Sequence, residues 1–414
     1  MYIVIPIFKE PFLHPLHEKN GLSALWCQPE SAEEPFFIIE KHPDSDKFME
    51  DYKWLDEELI MTPDKKILNH FYEFKNVVDK NFIWWNETGK PFEKNISNNA
   101  IDFLSNKYYN VKKLNEIIPL SKHNEYCSDI YKEMALAYTG ENDDYMNDVI
   151  KAFGSIEKHG IKVTDDVCDI FDVRVKKHIS DGKLYSNYNL WTTTGRPSNS
   201  YGTVNFAALP PEKRKAFIAG NDYLVEYDFD AYHLRLIGEL VEYDFGEESV
   251  HEHLAKHYGC SYEESKQKSF RLLYGGIDEK TRKTVHFFDK TYDYINKKWN
   301  EINTHNCIHT DIYRRKLIYG NYYELNRNKL FNYLIQSFET ERNIKKILEI
   351  QDYLKDKKSK LILYGYDSFL FDFSKADGVD ILKKIKNILE EKKYPTKIKM
   401  GYIYNGMKDI TNRL

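Results

Sequence analysis

The chain has 414 residues, 42% hydrophobic and 30% charged, an ordinary globular composition that excludes disordered, collagen-like and disulfide-scaffold classes. Its 60 Lys+Arg against 65 Asp+Glu leave a net charge of −5, so overall basicity cannot recruit nucleic acid and any such partner needs a local basic patch. Five scattered cysteines without a CxxC pair argue against a disulfide framework or a Cys-rich zinc site, and no apolar run approaches the roughly 18–20 residues of a membrane span.

The N-terminal stretch Met1–Phe12 lacks a basic segment followed by a long apolar one, so a cytoplasmic protein without a membrane partner is expected. Short apolar runs such as Pro35–Glu40 and Asn81–Trp85, mixed with charged stretches, predict a small α/β unit over the first 140 residues or so. The triplets Asn86-Glu87-Thr88 and Asn95-Ile96-Ser97 have the form of glycosylation sites and are read as chance. Val149, Ile150, Phe153 and Ile156 predict an amphipathic helix from Asn147 to a cap at Gly160. Between Arg174 and Lys215 eight basic residues face two acids, a local charge of +6 interleaved with Tyr185, Tyr188, Trp191 and Tyr201. Such a stretch suits a phosphate backbone, with rings to stack on bases, or simply forms a solvated basic surface.

Tyr223–Phe229 predicts a strand whose period-2 alternation sets Leu224, Glu226, Asp228 and Asp230 on one face. Ser261-Tyr262-Glu263-Glu264 has the form of a capping box, so a helix begins near Tyr262 and aligns Lys266, Phe270 and Tyr274 at i, i+4 and i+8. That stripe is either a nucleotide platform, with a cation for phosphates and rings for a base, or a core-facing aromatic stripe with a snorkelling lysine. His305, Cys307 and His309 share a strand face but show no fourth ligand, and a structural cluster is expected. Lys360–Phe373 predicts a hairpin folded about Tyr366-Asp367. Asp228 and Asp367, brought together, would repel; a divalent cation removes that conflict, and two cations would support phosphoryl transfer. The plainer alternative is a pair of strand-end aspartates at turns.

In this order the segments resemble the polymerase domain of family A (polymerase-I-like) DNA polymerases, over roughly residues 145–414. Lys183–Pro210 is similar to the T-x-TGR-x-S block, Lys213–Leu240 to motif A, Lys266–Gly275 to the K-x3-F-x3-YG core of motif B, and Tyr364–Phe373 to motif C. Asn332 and Gln336 match the N-x3-Q helix, and Ile156–Val167 resembles the start of the thumb. The resemblance implies an α+β fold: a right-hand palm with an antiparallel sheet, helical fingers, a minimal thumb and a small α/β N-terminal domain. The boundaries it implies are 1–140 for a vestigial exonuclease-like or replacement domain, 141–190 for a reduced thumb leading into the palm, 191–245 for the palm with motif A, 246–314 for the fingers and 315–414 for the palm with motif C. It implies Asp228 and Asp367 as catalytic metal ligands for two Mg²⁺, with Mn²⁺ an acceptable substitute. His251, Lys266, Phe270, Tyr274 and His233 are implied to meet the deoxynucleoside triphosphate, and Arg196, Asn205, Arg235, Asn332 and Gln336 the primed DNA template.

The chain departs from the family pattern in several places. Tyr262 stands where motif B has an arginine, His233 where motif A has a glutamate, and Ser368 follows the motif C aspartate. About 25 residues separate the thumb-start element from the T-x-TGR-x-S block, where the family places a long helical thumb. Asp64 and Asp129 lie roughly where later exonuclease carboxylates would, but only Glu10 stands near the opening acidic pair. The resemblance therefore implies a template-directed DNA polymerase without proofreading and with low intrinsic processivity, helped by a processivity or replisome protein. The small size suits a phage or mobile element. A ribonucleotide-incorporating, primase-like enzyme and a catalytically silent nucleic-acid-binding replication subunit are the alternatives.

Overall fold

In the computed structural model, which describes residues 1–10, 13–31, 33–90, 119–133, 143–201, 204–246 and 249–414, the chain divides into two units. Unit 1 comprises Met1–Trp191 with Asn199–Leu209, and unit 2 comprises Thr192–Ser198 with Pro210–Leu414. The triplet Asn95–Ser97 and the side chain of Tyr201 lie outside the described residues. No helix among those residues is long and apolar enough to cross a membrane.

Unit 1 is built on a mixed sheet of β1 (Tyr2–Phe8), β2 (Leu22–Pro29), β3 (Phe36–Ile39), β4 (Ile60–Thr62) and β5 (Val77–Asp79) in the order β3-β2-β1-β4-β5. β1 and β2 pair antiparallel, as do β2 and β3, while β4 runs parallel to both β1 and β5. Val4, Leu25, Cys27, Leu55, Ile60, Leu68 and Val77 form the sheet's apolar core. Helices α1 (Lys65–Leu68) and α2 (Lys80–Thr88) start at Asp64 and Asp79, whose carboxylates accept from the Ile67 and Phe82 amides. Burial, and then the nearby Asp64, push the Asp79 carboxyl up to about 8. α3 (Leu120–Glu133) and α4 (Asp143–Glu157) follow. The expected stripe of Val149, Ile150, Phe153 and Ile156 is buried, and Gly160 takes φ +62 just beyond the helix.

α4 ends on a buried charge. The Glu157 carboxylate receives Lys66 Nζ at 2.6 Å, the Tyr188 amide at 2.5 Å and His70 Nε2 at 2.8 Å. Burial alone would raise its pKa, but Lys66 and His70 outweigh that and hold it down at about 2. With His14 these side chains form a group of metal-ligand type. The Leu16 amide donates to His14 Nδ1, and the Lys66 ammonium already matches the Glu157 charge. The cluster is a buried ion-pair network.

Unit 2 holds an antiparallel sheet and the helices around it. Its elements are β6 (Tyr223–Phe229), α5 (Tyr232–Leu240), α6 (Val250–Tyr258), α7 (Tyr262–Gly275), α8 (Glu279–Thr284), α9 (His286–His305), β7 (Cys307–His309), β8 (Lys316–Ile318), α10 (Arg327–Tyr353), β9 (Lys360–Tyr364), β10 (Ser368–Phe373), α11 (Asp380–Glu390), β11 (Thr396–Gly401) and β12 (Lys408–Asp409). The sheet order is β9-β10-β6-β11-β12, with β6 central and antiparallel to both neighbours. α11 lays Ile381, Leu382, Ile385, Ile388 and Leu389 into the buried interior, and Tyr227 Oη donates to Leu382 O at 2.9 Å. A second core, including Leu234, Ile237, Val250, Leu254, Leu272, Leu273, Phe287, Phe288, Phe331 and Ile335, joins α5 through α7, α9 and α10. This α+β architecture is the expected fold class. His305, Cys307 and His309 form no ligand group among the described residues; β7 simply pairs with β8.

The Glu157 network yields a stability prediction. Its folded-state pKa lies below the ordinary 4.5, so its contribution is present above about pH 4.5 and is lost as pH falls toward 2. Glu157→Gln strands the buried Lys66 ammonium and should cost about 3–5 kcal/mol at pH 7. Most of that loss should vanish near pH 2, as read by denaturant titration at the two pH values.

Candidate active site

Register does the first part of the assembly. β6 pairs with β10 so that Asp228 lies opposite Ser368, and the Phe229 amide donates to Asp367 O at 2.9 Å. The β9–β10 connection is a two-residue turn: Gly365 N donates to Ser368 O at 2.8 Å, and Tyr366 takes φ +69. A Cβ at Gly365 would lie 2.6 Å from Ser368 Oγ, so a larger residue there would make the Ser368 hydroxyl rotate away. Asp228 at the end of β6 and Asp367 at the hairpin tip thus share one end of the sheet.

Both carboxyls are perturbed. Desolvation, then repulsion from Asp367 and Glu226, push Asp228 up to about 6. Asp367 is raised by desolvation and then by Glu339, although its side chain remains reachable at the cleft's rim. Glu226 is tied down elsewhere: Tyr404 Oη donates to it at 2.7 Å, and Arg214 stands 3.5 Å away. Two hard carboxylates brought together against their mutual repulsion are the donor set that a divalent cation fits.

The two aspartates line a cleft of about 300 Å³ with Arg196, Asp230, His233, His251, Tyr262, Lys266, Phe270, Tyr274, Glu339 and Lys397. The capping box starts α7 at Tyr262, Ser261 accepting from the Glu264 amide and Glu264 from the Ser261 amide. From there Lys266, exposed and without an ion pair among the described residues, precedes Phe270 and Tyr274, whose rings stack at 6.1 Å and 8°. His251 on α6 is 3% exposed, and its Nδ1 lacks a hydrogen-bond partner among the described residues. Burial lowers its pKa.

Beneath the rings lies a residue that motif spacing did not single out. Glu339 of α10 is fully buried, with Arg196 Nε at 3.0 Å and His233 Nε2 at 3.2 Å. Burial pushes this carboxyl up, but His233 and Arg196 pull it below the usual range. His233 bonds Tyr274 Oη at 2.6 Å through Nδ1, and the Arg196 guanidinium lies 3.7 Å over the Tyr366 ring. The only hint in the sequence is the stripe on α10: Asn332, Gln336, Glu339 and Asn343 fall at i, i+4, i+7 and i+11.

Four of the residues expected at the primer–template do not line this cleft. Asn332 and Gln336 are half-buried on α10 and do not line the cleft. Arg235 turns its Nε to Asp230 O at 3.2 Å and lines a separate cleft of about 660 Å³ with Glu239, Tyr243 and Lys393. Asn205 belongs to unit 1, where its side-chain carbonyl caps the turn Phe206–Ala208. Asp64 caps α1, and no metal-ligand group joins it to Glu10 or Asp129 among the described residues.

Because the folded-state pKa of Asp228 exceeds the ordinary 3.8, its ionisation costs the fold stability above about pH 6 and none well below pH 4. Asp228→Asn should therefore stabilise the metal-free protein at pH 8 by on the order of 1–3 kcal/mol, read as a higher thermal midpoint, and change it far less at pH 4. Added Mg²⁺ should stabilise the wild type and not this variant in the same melts.

No protein-family model matches the chain, and no curated protein matches it significantly. Among solved structures it is similar to the POL domain of Pol1 from M. smegmatis, in complex with DNA primer-template and dNTP. The TM-score is 0.68 over 98% of this chain and 96% of that chain, at 13% sequence identity. The chain therefore has a polymerase-like α+β fold.

Proposed function

We propose that the chain is a template-directed DNA polymerase that extends a primer 3′-hydroxyl with deoxynucleoside triphosphates. The observation that carries this reading is the pairing of Asp228 and Asp367 at one end of the sheet, inside a cleft whose other wall presents Lys266, His251 and the stacked Phe270 and Tyr274. The fold likeness to a polymerase domain solved with primer-template and dNTP supports it.

In this reading Asp228 and Asp367 would hold two Mg²⁺, and the chemistry such ions would supply there is activation of the primer hydroxyl and neutralisation of charge on the leaving pyrophosphate. Lys266 binds the phosphate tail, and Phe270 and Tyr274 offer a flat apolar face to the base and sugar. Glu339 holds His233 against Tyr274, so the imidazole forms a fixed wall beside the sugar. Arg196, pinned by Glu339 and Tyr366, is assigned the contact with the primer terminus in this reading. The palm is assigned to 191–245 and 315–414 and the fingers to 246–314. The reduced 141–190 segment gives a weak grip on duplex, so a processivity partner accompanies the enzyme, and residues 1–140 are a non-proofreading domain.

Primer extension on a primed template with Mg²⁺ tests this. Deoxynucleotide addition should be abolished, at least 1000-fold, by Asp367→Asn, while primer–template binding persists. The products should be short at limiting enzyme. Extension with ribonucleotides at a comparable rate would favour the primase-like alternative. Binding without any extension would leave a silent replication subunit.

A further inference from the structure

The phosphate end of the cleft is short of fixed positive charge on its helical wall. Tyr262 opens α7 without a cation, His251 is held toward its neutral form by burial, and Lys266 alone carries a lasting charge there. Arg196 is committed to Glu339. A nucleoside triphosphate brings three or more negative charges, so one lysine leaves much of the tail unmatched.

The opposite wall supplies a second cation. β11 pairs with β6 so that Lys397 lies directly across from Asp228, on the strand face that carries the aspartates. Its ammonium stands 3.2 Å from Asp230 Oδ1, with the Lys397 side chain 52% exposed. Lys397 also lines the cleft with Tyr262, Lys266 and His251, and His251 feels the charges of both lysines. The Lys397 side chain is half-exposed on a flexible stem, while Asp230 is 17% exposed, so it is the ammonium that can swing from the carboxylate to a more highly charged anion in the cleft. The buried, unpartnered Nδ1 of His251 marks the same end of the cleft as a place for a polar ligand.

We propose that Lys397 is a nucleotide-binding residue: its ammonium exchanges Asp230 for the phosphate tail of the incoming nucleoside triphosphate, facing Lys266 across the cleft. This rests on the polymerase reading. The charge that the first turn of α7 lacks is delivered from the sheet.

The test measures two things on the full chain. One is steady-state single-nucleotide addition; the other is equilibrium dNTP binding to the protein on a dideoxy-terminated primer–template, which needs no turnover. Lys397→Ala should raise KM and the dissociation constant about 10- to 100-fold, with kcat changed less than about threefold, as expected for loss of one charge-assisted hydrogen bond. Lys397→Arg should restore binding. Asp230→Asn, which frees the ammonium, should leave nucleotide affinity unchanged or tighter. If the pair is only structural, both neutralising variants will instead behave alike, and that result, or an unchanged KM in Lys397→Ala, overturns the proposal. Wild-type protein that binds dNTP without extending primers would sink the polymerase reading while the binding comparison still decides Lys397. Wild type that binds no dNTP would overturn both.

Discussion

Two carboxylates that repel each other are held at one end of a sheet, and much of unit 2 is explained by what it takes to keep them there. Asp228 and Asp367 come from strands far apart in sequence, joined by the β6–β10 register and by the Phe229 amide bonded to Asp367 O. The cost shows in the raised pKa of both. Phe229, Phe369 and Phe371, all buried in the sheet around them, supply the compensating apolar packing. A fold that spends stability on paired acids at a concave surface has the mark of a functional site rather than of a structural turn.

α10 is the element that holds the rest of the cleft to these acids. Ser337 Oγ donates to Thr194 O, which fixes the loop carrying Arg196. Two residues on, Glu339 pairs with Arg196 and holds the His233 ring. A further turn on, Asn343 donates to Tyr366 O and Tyr364 Oη and accepts from Tyr232 Oη. One helix therefore sets the loop before β6, the helix after β6 and the β9–β10 turn in fixed relation. Glu339 can be buried because the Arg196 guanidinium matches its charge and the His233 imidazole meets its other carboxylate oxygen.

Features that depend only on neighbouring residues are legible in the amino-acid sequence. The strand Tyr223–Phe229, the capping box at Ser261 and the turn at Tyr366-Asp367 each depend on residues within a few positions of one another, and each forms at the expected place. Lys266, Phe270 and Tyr274 share a cleft wall because a helix aligns i, i+4 and i+8. Glu339 and Lys397 are not legible in this way. Their roles come from long-range packing and from strand register, and an acid inside a 27-residue helix or a lysine in a C-terminal strand reads as solvated surface. The same limit explains Arg235, which shares α5 with His233 but lines a different cleft, two residues being enough to change helix faces.

The most direct test of the central claim is to locate divalent metal in the cleft. Crystals of the chain with dideoxy-terminated primer–template, an incoming dNTP and Mn²⁺ should show anomalous density bridging Asp228 and Asp367, beside the nucleotide's phosphates. Density for nucleic acid without metal at these two carboxylates, or metal bound only elsewhere, would contradict the account.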